Sequence, residues 1–270
     1  MGVNMPFANN NGVKIHYEIE GQGSCILVQH GFGGNITTFS ESGTIQELKK
    51  EYRLIMVDAR GCGQSDKPHT LEAYQADTIT QDYTTILDDL KIQKVIYLGY
   101  SMGGYIGFQC LARYALPRFT AMILGGSSPF GELHDAPKNE KAEQLTALRM
   151  SVEKGIAYYV TNYYEKRLAA PLTPTARAAR LADDPQALLT LCQGILTWSN
   201  AIEIFSKINI PTFVFGGELD PRFPSIRECV KFLPPATFVS FPGKTHGGVM
   251  SDTASLLPHI KKFLAEVNKR

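Results

Sequence analysis

Gly99-Tyr100-Ser101-Met102-Gly103 is the stretch that decides how this chain reads. It follows the apolar run Val95-Ile96-Tyr97-Leu98 and precedes residues 104–114, whose pattern predicts a helix. A strand that turns directly into a helix holds its turn residue in a strained conformation. Glycines two positions on either side let the backbone close there without a Cβ clash. A serine at that point has its hydroxyl pushed out of the fold. The Met102 N–H, at the helix start, is offered to a developing negative charge. The stretch therefore points to Ser101 as a nucleophile and Met102 as an oxyanion donor. A glycine-bounded turn with an inert serine is the alternative, and the rest of the chain weighs between them.

Outward from this stretch, the short apolar runs Cys25-Ile26-Leu27-Val28, Leu54-Ile55-Met56-Val57, Ala121-Met122-Ile123-Leu124 and Thr212-Phe213-Val214-Phe215 suit strands buried on both faces. Asn9-Asn10-Asn11-Gly12 predicts a turn between strands at 5–8 and 13–19, an antiparallel hairpin. Ile79, Tyr83, Ile86, Leu87 and Leu90 fall on one helical face, with Thr78 and Gln81 as a capping box before it. Leu256, Leu257, Ile260, Phe263, Leu264 and Val267 make another face near the end. Alternation of strands and helices predicts an α/β fold with a mostly parallel sheet and a mixed edge. Residues 127–208 hold no strand-like run. They are rich in helix formers, as in 141–151 and 185–196, and Asp184-Pro185 is a helix start. This interval is expected to be a helical cap inserted into a core formed by 1–126 and 209–270.

Composition narrows the function classes. The chain has 270 residues, a formal net charge of +1, 44% hydrophobic and 20% charged residues. A near-neutral balance gives no electrostatic reason for a nucleic-acid or anionic-membrane partner. No apolar run approaches the roughly 20 residues of a membrane span. The five cysteines (Cys25, Cys62, Cys110, Cys192, Cys229) lack metal-ligand spacing, so no metal is expected, and they read as reduced thiols. The N-terminal residues lack the basic and apolar regions of a secretory signal, and a cytoplasmic location is the expectation.

Three further features follow in chain order. His30-Gly31-Phe32-Gly33-Gly34 lies just past the first parallel strand, where its glycines permit close backbone approach and aim the Phe32 N–H at the site that Met102 faces. A dinucleotide-binding loop is the rival reading, but the GxGxxG spacing is absent. A serine nucleophile needs a base that titrates near neutrality, which means histidine. Of six, His16 lies in the hairpin, far from the strand ends where a site would form, His30 in the glycine loop, His69 and His134 in polar loops and His259 inside the last helix. His246, in Gly243-Lys244-Thr245-His246-Gly247-Gly248 after the strand 237–241, combines a flexible glycine-rich loop, a strand-end position and a late place in the chain. An acid to orient it is sought in Gly216-Gly217-Glu218-Leu219-Asp220, where Glu218 and Asp220 compete.

With a serine, an acid and a histidine in that order, the chain resembles the α/β-hydrolase superfamily. The resemblance runs through HGFGG at His30, Asp58-Ala59-Arg60-Gly61-Cys62-Gly63-Gln64-Ser65-Asp66, the GYSMGG stretch, the acid loop and His246. It is nearest to small capped serine esterases, enol-lactonases and cofactor-free haloperoxidase-like enzymes. Cys62 and Thr245 depart from the usual pattern, standing where relatives often carry a ring-bearing residue and a glycine. The resemblance implies a mostly parallel eight-stranded sheet with helices on both faces and a helical cap. It also places the family's acid at Asp220. It implies acyl transfer through Ser101, Asp220 and His246, with Phe32 and Met102 as oxyanion donors, no cofactor, and a small ester or lactone as substrate. Phe32 and Tyr100 adjoin the chemistry and are expected to line the substrate pocket, whereas at least half of Tyr158, Tyr159, Tyr163, Tyr164 and Trp198 are expected to pack the cap onto the core. A ligand receptor with slow or single-turnover hydrolysis, and a perhydrolase, are the alternative functions on the same residues.

Overall fold

The computed structural model describes residues 6–109, 116–130, 138–167, 171–198, 202–205, 208–234 and 236–269. Its centre is one sheet of eight strands in the order β1-β2-β4-β3-β5-β6-β7-β8. The strands are β1 (Phe7–Asn10), β2 (Val13–Glu20), β3 (Cys25–Gln29), β4 (Arg53–Val57), β5 (Val95–Tyr100), β6 (Phe119–Gly125), β7 (Thr212–Gly217) and β8 (Ala236–Phe241). β1 pairs antiparallel with β2, and β2 antiparallel with β4; every other pairing is parallel. The expected α/β fold with a mixed edge is therefore the observed one.

The parallel strands are apolar at consecutive positions because both of their faces are covered. Leu27, Ile55, Val57, Tyr97, Met122, Leu124 and Val214 enter the core on one side. Ile26, Val28, Leu54, Met56, Ile96, Leu98, Ile123, Phe213 and Phe215 enter the core on the other. The first side is closed by the helices Ala76–Asp89 and Pro185–Thr197, and the second by Gly43–Leu48 and Thr253–Val267. Each fully buried aliphatic or aromatic side chain adds about 1.5–3 kcal/mol relative to exposure.

Between β6 and β7 every described element is helical. The main ones are Lys138–Lys154, Pro174–Leu181 and Pro185–Thr197. Asp184 caps the last of these by accepting from the Ala187 N–H at 3.0 Å, with Pro185 in its first turn. Tyr159 is buried and stacks on Tyr163, with centroids 5.3 Å apart. Trp198 stacks on Tyr105 at 5.4 Å and donates its indole N–H to the Tyr74 carbonyl at 2.9 Å. Tyr159 and Trp198 belong to the core, and Tyr163 and Tyr164 pack against it, as expected for at least half of the set.

Local boundaries differ from the sequence reading in instructive ways. Asn9 and Asn10 belong to β1, opposite Lys14 and Val13, so the turn is only Asn11-Gly12, both at positive φ (52° and 88°). The helix predicted to start after Thr78 starts at Ala76, and Thr78 does not cap it: its hydroxyl donates to the Glu72 carbonyl. A short 3₁₀ turn, Leu71–Tyr74, leads into the helix and takes that hydroxyl. The helix after Ser101 begins at Met102; its expected end, with Cys110, lies outside the described residues, as do Met5 and His134. The four described cysteines form no disulfide. No helix among the described residues is long and apolar enough to cross a membrane, and no described cluster of His, Cys, Asp and Glu is arranged to hold a metal ion.

Candidate active site

Parallel strands all end on one edge of the sheet, and the loops leaving neighbouring strands meet there. β3 and β5 are neighbours, and β5, β6, β7 and β8 follow in order. The 30–34 loop, Ser101, Asp220 and His246 leave β3, β5, β7 and β8 respectively, so all four are delivered to that edge.

Ser101 is the residue between β5 and the helix Met102–Ile106, with φ 57° and ψ −119°. A non-glycine residue there is strained, and the surroundings hold it. Its N–H donates to the Gly125 carbonyl at 2.8 Å, and its carbonyl accepts from the Tyr105 N–H at 2.9 Å. The flanking glycines are required by close approach. A Cβ on Gly99 would collide with the Gly103 carbonyl, and one on Gly103 with the Gln29 carbonyl. Met102 N–H is the first amide of its helix and has no intrahelical acceptor.

The structure brings the three residues together. Ser101 Oγ lies 2.9 Å from His246 Nε2, and His246 Nδ1 lies 2.5 Å from Asp220 Oδ2. Asp220 has a fully buried side chain. Burial pushes its carboxyl up. The hydrogen bond and charge of His246, the Arg222 N–H at 3.0 Å and the Arg222 guanidinium outweigh that, so its pKa falls below the usual value. An ionised carboxylate only accepts, so Nδ1 carries the proton and Nε2 accepts from the serine hydroxyl. Glu218, the other acid of this loop, instead accepts from Ser240 Oγ at 2.9 Å on the surface.

His246 is not in a flexible loop. It is the first residue of the helix His246–Ser251, capped by Thr245, whose Oγ1 accepts from the Gly248 N–H. Thr245 thus does at this position what a glycine could not. Tyr100 is buried, and its hydroxyl donates to the His246 carbonyl. Its ring stands 5.3 Å from the imidazole and 5.8 Å from Phe215. That places Tyr100 behind the histidine as a support. Tyr100→Phe is expected to cost about 1 kcal/mol of stability through the lost hydrogen bond. Urea unfolding measures that cost, and an unchanged midpoint would count against the support.

The glycine loop is anchored from behind. Ala59 N–H donates to His30 Nε2 at 3.1 Å, and His30 Nδ1 donates to the Gly31 carbonyl at 2.7 Å. Burial holds the His30 pKa below its usual value, in keeping with this neutral, fully bonded ring. Asp58 accepts from the Ile36 and Gln64 N–H groups at 2.7 and 2.9 Å and from His16 Nδ1 at 2.8 Å. His16 is therefore not remote from the strand ends: β2 runs antiparallel to β4, which sets it beside the residue that follows β4. Gly31 crosses directly over the turn, since a Cβ on it would lie 3.3 Å from Ser101 Cβ. Phe32 is half-buried beside it.

Two contacts gave no sequence signal. The hydroxyl of Tyr100 and the guanidinium of Arg180 reach partners 146 and 147 residues away. Arg180, from the helix Pro174–Leu181, donates to the carbonyls of Phe32 and Gly33. No spacing rule joins positions so far apart.

Comparison with known proteins identifies the fold. The family model described as the alpha/beta hydrolase fold matches residues 25–253. A putative 2-succinyl-6-hydroxy-2,4-cyclohexadiene-1-carboxylate synthase of Bacillus subtilis is 27% identical over 253 residues, covering 88% of this chain and 89% of the relative. A thermophilic esterase from Thermogutta terrifontis superposes with a TM-score of 0.82 at 21% identity, covering 97% of this chain and 98% of that one. The enol-lactonase from Burkholderia xenovorans gives 0.79 at 21% identity, covering 96% and 100%. With a strand-to-helix turn, a mostly parallel eight-stranded sheet and a family match spanning most of its length, the chain belongs to the α/β hydrolase fold family.

Proposed function

We propose that this protein is a serine hydrolase that cleaves a small carboxylic ester or lactone through an acyl-enzyme on Ser101. The single observation that carries the reading is the unbroken line from Ser101 Oγ to His246 Nε2 (2.9 Å) and from His246 Nδ1 to Asp220 Oδ2 (2.5 Å). In this reading His246 takes the serine proton as Oγ attacks the carbonyl carbon. The N–H groups of Phe32 and Met102 hold the oxyanion, and removing one such donor typically costs about 3 kcal/mol of transition-state stabilisation. His246 then gives the proton to the leaving alcohol, and water resolves the acyl-enzyme by the same steps. Asp220 keeps the imidazole in the reactive tautomer and stabilises its charged form. The residues 127–208 serve as the cap, the half-buried Phe32 borders the acyl site, and Tyr100 supports His246. The esterase and enol-lactonase among the structural neighbours fit this substrate class.

Asp220→Asn tests the acid. Turnover of a p-nitrophenyl ester should fall by about 10⁴-fold, because an amide in place of the carboxylate favours the wrong imidazole tautomer. A loss smaller than tenfold would remove Asp220 from the mechanism. The depressed pKa of Asp220 also has a sign for stability: its contribution is complete above the ordinary carboxylate range and is lost as pH falls through the lower folded-state value.

Labelling by a fluorophosphonate followed by a screen over esters and lactones of varied acyl length tests the whole reading. Labelling of Ser101 with sustained turnover supports it. A stoichiometric burst followed by silence assigns a ligand-receptor role instead, and peracid formation with peroxide assigns perhydrolysis. The absence of labelling would remove the nucleophile.

A further inference from the structure

The glycine loop after β3 is held by a side chain from a distant part of the chain. Residues 31–34 form a turn closed by the Gly34 N–H donating to the Gly31 carbonyl at 2.9 Å. Gly33, its third residue, has φ +60°. Turns of this length exist in two forms that differ by a flip of the central peptide, and positive φ at the third residue marks one of them. With glycines at three of its four positions, the turn has little intrinsic preference. Something outside it must select the form.

Arg180 occupies that position. Its Nη1 donates to the Gly33 carbonyl and lies 3.4 Å from the Phe32 carbonyl, which belongs to the central peptide. The guanidinium is itself immobilised. Nη2 donates to the Tyr164 hydroxyl at 2.8 Å, the group lies 4.2 Å from the centre of the Tyr164 ring, and Asp183 Oδ2 stands 3.9 Å from Nη1. Arg180 is 11% exposed and Asp183 only 3%. A guanidinium buried this way, bonded to carbonyls and stacked on a ring, is geometrically committed. Its two faces of contact are the helical interval between β6 and β7 and the loop whose amide is proposed to meet the substrate.

We propose that Arg180 is a positioning residue: by holding the Phe32 and Gly33 carbonyls it fixes the 31–34 turn in one form and in place over Ser101, and so holds the preceding Gly31–Phe32 peptide, whose N–H is proposed to meet the oxygen of a substrate on Ser101, so that docking of the 174–181 helix sets the geometry of oxyanion stabilisation. The proposal rests on the serine-hydrolase reading above. It differs from a substrate-binding role, because Arg180 spends its donors on protein carbonyls and acts through the loop. Lysine cannot replace it, since a single ammonium cannot reach Phe32, Gly33 and Tyr164 with a planar fork.

The test compares Arg180→Lys, Arg180→Met and Arg180→Ala with the wild-type full chain. With a short-chain p-nitrophenyl ester, kcat is expected to fall about 10- to 100-fold in all three, as for a misaligned catalytic group. KM is expected to stay within about twofold, since only transition-state interactions are lost. Inhibition by a trifluoromethyl ketone, which forms the oxyanion on Ser101, should weaken by the same factor as kcat. Methylguanidinium at a non-denaturing concentration should restore activity to Arg180→Ala and leave Arg180→Lys unchanged. Amide hydrogen exchange at 32–34 should quicken by about tenfold in Arg180→Met, while exchange in β5 and β6 stays unchanged.

Unchanged kcat, or unchanged exchange in the loop, would overturn the proposal. So would a parallel decline of kcat, KM and thermal midpoint without rescue, which marks a purely structural arginine. If the wild type turns over no ester or lactone and escapes fluorophosphonate labelling, the hydrolase reading has failed on its own, and the catalytic part of this proposal falls with it. The exchange measurement then still decides whether Arg180 holds the turn.

Discussion

Ser101→Ala is expected to lower kcat toward a p-nitrophenyl ester by about 10⁶-fold, the loss seen when a nucleophile that works as a unit with its base is removed. The fold should survive the change. Alanine inherits the same backbone conformation and the same strain, and the strand and helix on either side are unaltered. The hydroxyl's partner, His246, is 31% exposed, so water replaces the lost hydrogen bond without leaving a buried orphan. On the proposed mechanism, any residual catalysis comes only from the proposed oxyanion donors and substrate binding. Two measurements check this: steady-state turnover, and covalent labelling by a fluorophosphonate, which should vanish. Retention of half the wild-type rate would end the assignment of Ser101.

The same position supports a second comparison. Glycine accepts φ 57° and ψ −119° at little cost, whereas serine and alanine do not. Ser101→Gly should therefore be inactive yet more stable than wild type by about 1–3 kcal/mol, the range of strain stored at such sites. A urea midpoint below that of wild type would mean that the turn is not strained by its side chain.

The largest stability effect is expected at a pair far from the chemistry. Arg60 and Asp82 are 1% and 3% exposed. Arg60 Nε donates to Asp82 Oδ2 at 2.7 Å, Nη2 donates to Oδ1, and Nη1 donates to the Ala73 carbonyl at 2.7 Å. Asn10 Nδ2 donates to Asp82 Oδ1 at 2.7 Å, so the pair ties β1 to the helix Ala76–Asp89 and to the stretch after β4. Removing one partner leaves the other charge buried and unpaired, which costs about 3–5 kcal/mol. Asp82→Ala and Arg60→Met are each expected to lose that much in urea unfolding. Arg60→Met combined with Asp82→Leu should lose much less than the sum, because no charge then remains inside. kcat should be unchanged, within about twofold, at temperatures where the variants stay folded, because the two residues are bonded to groups outside the Ser101 line. Additive losses in the double variant would show that the pair acts through packing alone.

The stretch 58–66 shows how far motif reading reaches. Its residues carried the resemblance, yet nothing in their order states what each one does. In three dimensions Asp58 organises the backbone behind the glycine loop, and Ser65 Oγ donates to the Asp58 carbonyl at 2.7 Å while accepting from the His16 N–H at 2.8 Å. Arg60 turns away to Asp82. The choice between Glu218 and Asp220 is of the same kind. Both are carboxylates two residues apart on one loop, and only the direction of the turn after β7 sends one to His246 and the other to Ser240. Boundaries failed where a neighbouring element captured a local signal, as the 3₁₀ turn did with Thr78.

By itself the sequence determined what local chemistry can determine. Short apolar runs fit a doubly covered parallel sheet, glycines around Ser101 fit a turn in which backbone passes close to backbone, and a late histidine beside glycines fits a strand end. These signals lie within a few residues of one another, where periodicity and conformational preference operate. Tertiary structure alone decided the rest: the reach of Arg180 to Phe32 and Gly33, the hold of Tyr100 on His246, and the union of His16 with Asp58. Those partners are separated by 42 to 148 residues, and they meet because the sheet places strand ends side by side in an order unrelated to their order along the chain.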